Sequence, residues 1–312
     1  MKAIVLKAFG PVDNLVIKEI PTPHISAGEV LVKVKAISIN PVDVKTRSGS
    51  GFSQALKDFD PIILGWDISG VVVASESPLF KVNDAVFGMV NFPGHGKAYA
   101  EYVAVPADQL ALKPDNITHE EAAAATLTAL TAWQAMVGNG NILPGQKVLI
   151  HAAAGGVGHF AVQIAKGLGA YVIGTSSAAN KDALLELGVD QHIDYTSQHL
   201  KDHVNGVDYT LDAVGVQAVA DSLEIINPGG TLISINGATR EVIADMAKPF
   251  QVNGKFVLVH SNGKDMQELA SWLRDGRLRP IVAAVFPFDE MGKAHLQVET
   301  SRTVGKVVVR VD

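Results

Sequence analysis

A glycine-rich turn between an apolar run and an amphipathic run contains the residues with the clearest chemical potential. Residues 148–166 read VLIHAAAGGVGHFAVQIAK, which places Ala153, Gly155 and Gly158 on the pattern G-x-G-x-x-G. The second position lets a phosphate approach the backbone, and the third lets the helix pack closely on the strand. A helix that begins at Gly156 would direct unpaired N–H groups at a pyrophosphate. We therefore expect dinucleotide binding, with an ordinary strand-to-helix turn as the alternative, at Ala153, Gly155, Gly156, Val157 and Gly158.

The end of the following strand indicates which dinucleotide is favoured. Folds that select NAD place a carboxylate about 20 residues after the glycines, but residues 174–177 here read GTSS. Ser176 can donate to a 2′-phosphate, and Lys181 adds positive charge nearby. We expect NADPH rather than NADH. In the alternative, Lys181 is a solvated helix residue and the nearby Asp182 and Asp194 dilute the positive field.

Further cofactor contacts are expected where parallel strands end, because ligands bind beyond the carboxyl ends of such sheets. Glycines at these ends let the backbone approach a ligand. The expected contacts are Ala213, Val214, Asn236, Gly237 and His260. Asp212 precedes the first of them, and we expect it to hydrogen-bond a local turn rather than to catalyse.

The residues named above lie at the ends of apolar runs, and these runs alternate with stretches of helical periodicity. After the first strand, buried strands are expected at 170–176, 190–195, 206–214, 230–237 and 255–262, with helices at 179–187 and 216–226 among them. This alternation predicts an α/β domain with a doubly wound parallel sheet. Its third strand ends at Tyr195.

The chain before residue 117 reads as a different kind of domain. Short Val-rich runs separated by Pro and Gly predict an antiparallel, partly barrel-like domain. A helix is expected over 120–136 with Asp115 or Thr118 as its cap, and a strand at 306–311 is expected to return to the first domain's sheet. We therefore predict one domain formed by residues 1–117 and 264–312 and a second formed by residues 118–263.

Composition fits a soluble globular enzyme of two domains. The 312 residues are 47% hydrophobic and 19% charged, and the net charge of −6 comes with scattered basic residues, so no nucleic-acid partner is expected. No window reaches about 18 apolar residues, and Lys7 interrupts the apolar start, so neither a membrane span nor a secretion segment is expected. The absence of Cys excludes disulfides and thiolate chemistry. A cytoplasmic location is the expectation.

Several motifs occur in the order found in one known family. They are AISINPVDVKTRSG (36–49), PIILGWDISGVV (61–72), AEYVAVP (100–106), LTALTAWQAM (127–136) and HAAAGGVG (151–158). Over essentially the whole chain the sequence resembles the medium-chain dehydrogenase/reductase (MDR) superfamily, most closely its zinc-free NADPH:quinone oxidoreductase and 2-alkenal (enone) reductase branch. The resemblance implies a GroES-like, partly open β-barrel domain for the substrate and a Rossmann domain for NADPH.

The resemblance also implies roles for individual residues. Tyr195 matches a tyrosine beside the adenosine phosphate, although it could instead pack at a strand edge. Gly305 matches a C-terminal turn near the cofactor. Members of this family often pair their Rossmann sheets through the sixth strand, so a homodimer is expected.

The metal ligands of zinc-dependent members are missing. Asn40 stands where the first Cys ligand would be, Trp66 replaces the His ligand, and residues 91–97 are too short for a four-Cys lobe. His95 and His260 have no partner ligand three or four positions away. We expect no metal.

Without a metal, conjugated acceptors are the expected substrates, because their negative charge delocalises onto oxygen during hydride transfer. The family match suggests that Asn40 donates to that oxygen and that Asp43 helps to position the ribose or substrate. Residues 40–43 could instead form a self-capped turn. Phe52, Trp66 and Trp133 could line the acceptor pocket or simply pack in the core.

The expected function is therefore NADPH-dependent, metal-independent reduction of a quinone or α,β-unsaturated carbonyl. The alternatives are a reductase of another conjugated acceptor, such as an enoyl thioester, and a non-catalytic NADPH-binding sensor or structural protein.

Overall fold

The computed structural model describes residues 1–311, so Asp312, the final residue of the predicted first domain, lies outside the described residues. The chain divides into two compact units. The first contains Met1–Leu130 and the chain from His260 onward, and the second contains Thr131–Val259. Within residues 1–311, no helix has both the length and the apolar character needed to span a bilayer.

Eight strands and three complete α-helices lie within Met1–Leu130. The strands are β1 (Lys2–Leu6), β2 (Leu15–Glu19), β3 (Glu29–Ile39), β4 (Ile62–Ile63), β5 (Asp67–Ser75), β6 (Ala85–Met89), β7 (Tyr102–Pro106) and β8 (Ala111–Leu112). The helices are α1 (Pro41–Arg47), α2 (Ser53–Leu56) and α3 (His119–Ala124). Thr118 caps α3, as predicted: its hydroxyl accepts from Glu121 N at 3.1 Å, and Thr118 N donates to the Glu121 carboxylate at 2.8 Å.

The expectation of one continuous helix over 120–136 is wrong. Helix α4 (Leu127–Trp133) follows α3 after a break and continues into a π-helical turn at Gln134–Gly138. At the break, the Thr126 hydroxyl donates to Ala123 O at 2.8 Å. Such a side-chain bond competes with helical backbone bonding.

The second unit is an all-parallel α/β sheet. Its strands are β9 (Lys147–Ile150), β10 (Tyr171–Ser176), β11 (Gln191–Asp194), β12 (Val207–Asp212), β13 (Ile226–Ser234) and β14 (Asn253–Phe256). Its helices are α5 (Gly158–Gly167), α6 (Lys181–Glu186), α7 (Leu200–His203), α8 (Val216–Leu223) and α9 (Ile243–Ala247). The strand order β11-β10-β9-β12-β13-β14 confirms the predicted doubly wound sheet, with its switch point beside β9.

The sixth strand of this sheet is shorter than predicted. The expected strand over 255–262 is wrong in its extent, because β14 ends at Phe256. Val257 N still donates to Ser234 O at 2.9 Å. Ser261 N instead donates to Phe92 O at 3.3 Å, and both of these residues belong to the first unit. The apolar run is a sign of burial and does not specify a sheet partner. His260 therefore does not end a strand of the parallel sheet.

The chain then completes the first unit with α10 (Gly263–Arg274), β15 (Val282–Pro287), α11 (Met291–Glu299) and β16 (Lys306–Arg310). Strand β16 lies between β15 and β3, which confirms that the chain returns to the first sheet. The order of this seven-stranded sheet is β15-β16-β3-β5-β6-β8, and β7 also pairs with β3. A second sheet has the order β2-β1-β4. The chain thus contains both predicted architectures, a GroES-like β domain and a Rossmann sheet.

Helix α3 belongs to the first unit, although it lies beyond the predicted boundary after residue 117. Its Ala123 and Ala124 pack with Ala36 of β3 and Val308 of β16, and all four are fully buried. These contacts extend the first unit to Leu130.

Candidate functional site

The glycine turn of the second unit is held by hydrogen bonds to β10. Ala153 N donates to Thr175 O at 2.9 Å, and Ala152 N donates to Thr175 Oγ1 at 3.3 Å. Ala152 has a φ of +50°, in the left-handed region that is unusual for a residue with a Cβ. Helix α5 begins at Gly158 rather than at the predicted Gly156. The turn is thus longer than expected and fixed to its neighbouring strand.

The two glycines of the pattern have different surroundings. A Cβ at Gly158 would lie 2.2 Å from Ala152 O and 2.7 Å from the Ala153 carbonyl carbon. A Cβ at Gly155 would meet only Ala152 O, at 3.2 Å. Gly158 is therefore required for packing of the helix on the turn, whereas Gly155 leaves backbone accessible to a ligand, as a dinucleotide site requires.

His151 links the turn to two neighbouring elements, although its only sequence signal is its position before the glycines. Its Nε2 lies 2.8 Å from Ser222 Oγ of α8, and its Nδ1 lies 3.3 Å from Thr175 Oγ1 of β10. Burial lowers the pKa of His151 despite the nearby Asp212 carboxylate. The ring is therefore neutral and holds the turn in place.

The ends of β12 and β13 lie side by side. Asp212 accepts from Val214 N at 2.8 Å and from Gly215 N at 3.1 Å, which confirms the expected local turn. Asn236 Nδ2 donates to Val214 O at 2.7 Å, and its Oδ1 accepts from Ala238 N at 3.0 Å. The structure thus brings the predicted contacts Ala213, Val214, Asn236 and Gly237 together.

Polar side chains gather at the ends of β10 and β11. Ser176 Oγ donates to Ser177 O at 2.9 Å and lies 2.9 Å from His192 Nε2. Lys181 is exposed at the start of α6, and Tyr195 is 66% exposed after β11, so Tyr195 is not packed at a strand edge. His192 was not among the sequence candidates.

The nearby carboxylate is engaged in its own turn. Asp194 accepts from the Thr196 backbone and hydroxyl, at 3.0 and 2.7 Å, and from the Ser197 hydroxyl at 2.9 Å. These bonds lower the pKa of Asp194.

In the first unit, Asn40 is the centre of a buried polar cluster. Its Nδ2 donates to Asp67 Oδ2 at 2.7 Å, and its Oδ1 accepts from the Lys306 ammonium, which also donates to Ile39 O at 3.0 Å. Asn40 N donates to Asp43 Oδ2 at 2.7 Å, so residues 40–43 form a self-capped turn at the start of α1. Asn40, Asp43 and Asp67 are fully buried. The amide of Asn40 is thus fixed from both ends.

The cluster contains two carboxylates and one ammonium. Burial, together with the Asp67 carboxylate, raises the pKa of Asp43 to about 8. Burial also raises the pKa of Asp67, opposed by Lys306, and lowers the pKa of Lys306, opposed by both carboxylates. Asp43 Oδ1 is buried and has no hydrogen-bond partner among the described residues. At neutral pH the cluster therefore retains a proton on Asp43.

The predicted pocket aromatics are divided between the units. Phe52, Trp66 and Phe92 form mutual edge-to-face contacts with centroids 5.2–6.0 Å apart. Trp66 is fully buried, and its Nε1 donates to Gly94 O at 2.7 Å, so it packs in the interior. Phe52 is half-buried, and Trp133 belongs to the second unit. Lining of a substrate pocket stays a prediction for all three side chains.

Two expected cofactor residues, His260 and Gly305, belong to the first unit. Gly305 has a φ of +76°, and a Cβ there would lie 2.3 Å from Ile281 O, so the local fold itself requires glycine. Contact of either residue with a cofactor stays a prediction.

No group of three or more His, Cys, Asp or Glu side chains is placed to share a metal ion within residues 1–311. His95 is held by the backbone of Ile63, with Nε2 2.9 Å from the carbonyl oxygen. Burial lowers the pKa of His95 to about 4, so the ring is neutral.

A parallel sheet of this strand order with a glycine turn at its switch point, combined in one chain with a GroES-like β domain, defines the class of two-domain nucleotide-binding dehydrogenases and reductases. The family models agree: residues 26–115 match the alcohol dehydrogenase GroES-like domain, and residues 187–309 match the zinc-binding dehydrogenase family. The chain belongs to the medium-chain dehydrogenase/reductase superfamily.

Three similar proteins are named as a reductase or an oxidoreductase. The 2-methylene-furan-3-one reductase of Solanum lycopersicum and the chloroplastic NADPH-dependent alkenal/one oxidoreductase of Arabidopsis thaliana are each 33% identical to this chain. Each match covers 99% of this chain and 79% of the relative. The structure of the quinone oxidoreductase from Coxiella burnetii is 35% identical, with a TM-score of 0.95 over 100% of this chain and 99% of that one.

Proposed function

We propose that this protein is an NADPH-dependent oxidoreductase that reduces a quinone or an α,β-unsaturated carbonyl without a metal ion. The observation that carries the proposal is the glycine turn at Gly155, combined with a β10 end that offers Ser176 and Lys181 instead of a carboxylate. The names of the similar reductases support the same choice of cofactor and acceptor.

The residues present fit a phosphorylated dinucleotide. The backbone around Gly155 would hold the pyrophosphate, and Ser176, Lys181 and Tyr195 would hold the 2′-phosphate. The paired ends of β12 and β13, at Val214 and Asn236, would contact the remainder of the dinucleotide. Bound NADPH supplies the hydride.

Asn40 and Asp43 are proposed to position the substrate or the ribose. Because Asp67 and Lys306 fix the Asn40 amide, only its second Nδ2 hydrogen remains to donate to the oxygen that gains negative charge. A side chain already held in one orientation needs no reorganisation as that charge develops.

We also propose a cytoplasmic homodimer. Strand β14 is the edge of the parallel sheet, which offers unpaired backbone groups to a second copy. Sedimentation at several protein concentrations tests the oligomeric state.

Steady-state oxidation of reduced nicotinamide, followed near roughly 340 nm, tests the proposed reaction with a panel of quinones, alkenals and enones. We expect loss of absorbance only when an acceptor is present, and a higher kcat/KM with NADPH than with NADH. Equal efficiency with the two cofactors would contradict the cofactor preference. Tight NADPH binding without turnover on any acceptor would favour a sensor.

The proposed role of Asn40 has its own test. Asn40→Ala should lower enone turnover at least about tenfold, since loss of one oxyanion donor typically costs roughly 10²–10³ in kcat. The variant should also melt at a lower temperature, because Asp67 and Lys306 lose a buried partner, so turnover is compared at a temperature at which both proteins are folded. Asn205→Ala, at an exposed position, is the matched control. Unchanged turnover in Asn40→Ala would remove Asn40 from the proposed site.

A further inference from the structure

His192 lies in direct contact with the residue expected to bind a 2′-phosphate. Strands β10 and β11 are parallel, with Gly174 opposite His192 and Ser176 opposite Asp194. His192 Nε2 is 2.9 Å from Ser176 Oγ. Ser176 Oγ also lies 2.9 Å from Ser177 O, so the hydroxyl hydrogen can turn to that carbonyl or to a bound phosphate while the oxygen accepts from the ring. The protonated ring is a donor at both nitrogens.

Two charged groups act on this ring. Asp194, on the same strand, favours the protonated form, whereas Lys181 at the start of α6 disfavours it. The Asp194 carboxylate is already occupied by the hydrogen bonds of its own turn. Burial and Lys181 together hold the pKa of His192 below its ordinary value. Without a ligand, the ring is mostly neutral at pH 7.

We propose that His192 is a further recognition residue for the 2′-phosphate of an adenine dinucleotide, and that it takes up a proton when the phosphate binds. This inference rests on the proposed preference for the phosphorylated cofactor. A phosphate monoester has a charge of about −1.5 to −2 at pH 7, which favours the imidazolium. Strand β11 thus supplies a titratable cation in addition to the fixed charge of Lys181.

Calorimetric titration with 2′,5′-ADP and 5′-AMP at pH 7, in two buffers of different ionisation enthalpy, tests this proposal without turnover. We expect His192→Gln to take up fewer protons than the wild type on binding 2′,5′-ADP, and to bind it about threefold to fivefold more weakly, the range for a partly exposed ion pair. Its binding of 5′-AMP should be unchanged. His203→Gln, an exposed histidine of the same unit, should behave as the wild type.

His192→Lys provides a charge rescue. A permanent cation should restore the affinity for 2′,5′-ADP without restoring proton uptake, whereas a merely structural role of the ring predicts no such rescue. Thermal melting of each variant verifies that it is folded.

The outcomes separate this inference from the proposed function. If the wild type prefers 2′,5′-ADP to 5′-AMP but His192→Gln matches it in affinity and proton uptake, the role of His192 is overturned while the cofactor preference stands. If the wild type does not distinguish the two nucleotides, the preference for a phosphorylated cofactor fails, and this inference fails with it.

Discussion

Asp43 illustrates how burial fixes the charge of a single side chain. Its pKa rises from the ordinary 3.8 to about 8, first because it is buried and then because Asp67 is near. Between these two values the folded protein retains a proton that the unfolded chain releases. The free energy of unfolding attributable to this group therefore falls as pH rises from about 4 to about 8.

Asp43→Asn should remove this pH dependence. An amide is neutral at every pH, its oxygen can still accept from Asn40 N, and its NH₂ group mimics the protonated carboxyl. We expect the variant to lose less stability than the wild type between pH 5 and 8, and to be more stable at pH 8 by at least about 1 kcal/mol.

Urea unfolding at four pH values in this range measures the effect. Asp108→Asn, an exposed carboxylate of the same unit, should parallel the wild type. Parallel curves for Asp43→Asn and the wild type would show that Asp43 is already ionised at neutral pH.

A residue's position could be predicted from the sequence where it depends on neighbours along the chain. It could not be predicted where it depends on contacts with residues far away in the sequence. Ser176 ends a recognisable strand and Lys181 lies shortly after it, so their position relative to the glycine turn is readable. Lys306 meets Asn40 across 266 positions, and no local pattern indicates that pairing. His192 was missed for a similar reason, because the register of two parallel strands brings it to Ser176.

At the scale of elements, the contact between the glycine turn and α5 makes a specific prediction. Gly158→Ala should lower the free energy of unfolding by about 2–3 kcal/mol, because its Cβ overlaps backbone that cannot move aside. Gly155→Ala has only one contact, at 3.2 Å. It should remain within about 1 kcal/mol of the wild type yet bind 2′,5′-ADP at least about tenfold more weakly, since its Cβ occupies the approach to the phosphate.

Urea unfolding and nucleotide titration measure the two effects separately. Gly138→Ala, where a Cβ meets nothing within 4 Å, is the control. Undiminished nucleotide binding by Gly155→Ala would place the pyrophosphate elsewhere.

Hydrophobic periodicity identified nearly all the elements but not where two of them end. The strand at 255–262 and the helix over 120–136 were both predicted too long. In each case the apolar run continues beyond the end of the element, but the hydrogen bonds change. Ser261 N donates to Phe92 O, and the Thr126 hydroxyl donates to Ala123 O. Hydrophobicity reports burial, whereas the boundary depends on which donor meets which acceptor.

At the scale of the whole molecule, the two units differ in continuity. All six strands of the parallel sheet come from one uninterrupted segment, which has its own buried cluster including Leu149, Ile173 and Leu232. The first unit is assembled from two segments, because β16 pairs with β3. Alternation of strands and helices predicted the parallel sheet, and short Val-rich runs separated by Pro and Gly predicted the β-rich domain. The exact boundaries depend on how α3 packs.

A fragment of residues 127–259 should therefore fold by itself. We expect a cooperative urea transition by circular dichroism, and binding of 2′,5′-ADP through residues that all lie within the fragment. The segment 1–130 alone, which lacks β16, should show no cooperative transition and is the contrasting fragment. A non-cooperative transition in the 127–259 fragment would mean that its core depends on the first unit.

The place of β16 between β15 and β3 has a consequence for biosynthesis. A ribosome delivers residues 131–259 before it makes Lys306–Arg310, so the parallel sheet can close while translation continues. Strand β3 emerges far earlier but lacks one of its neighbours until elongation reaches that late segment. During this interval its exposed edge is open to wrong pairing, and nascent chains stalled before residue 306 should engage chaperones through it.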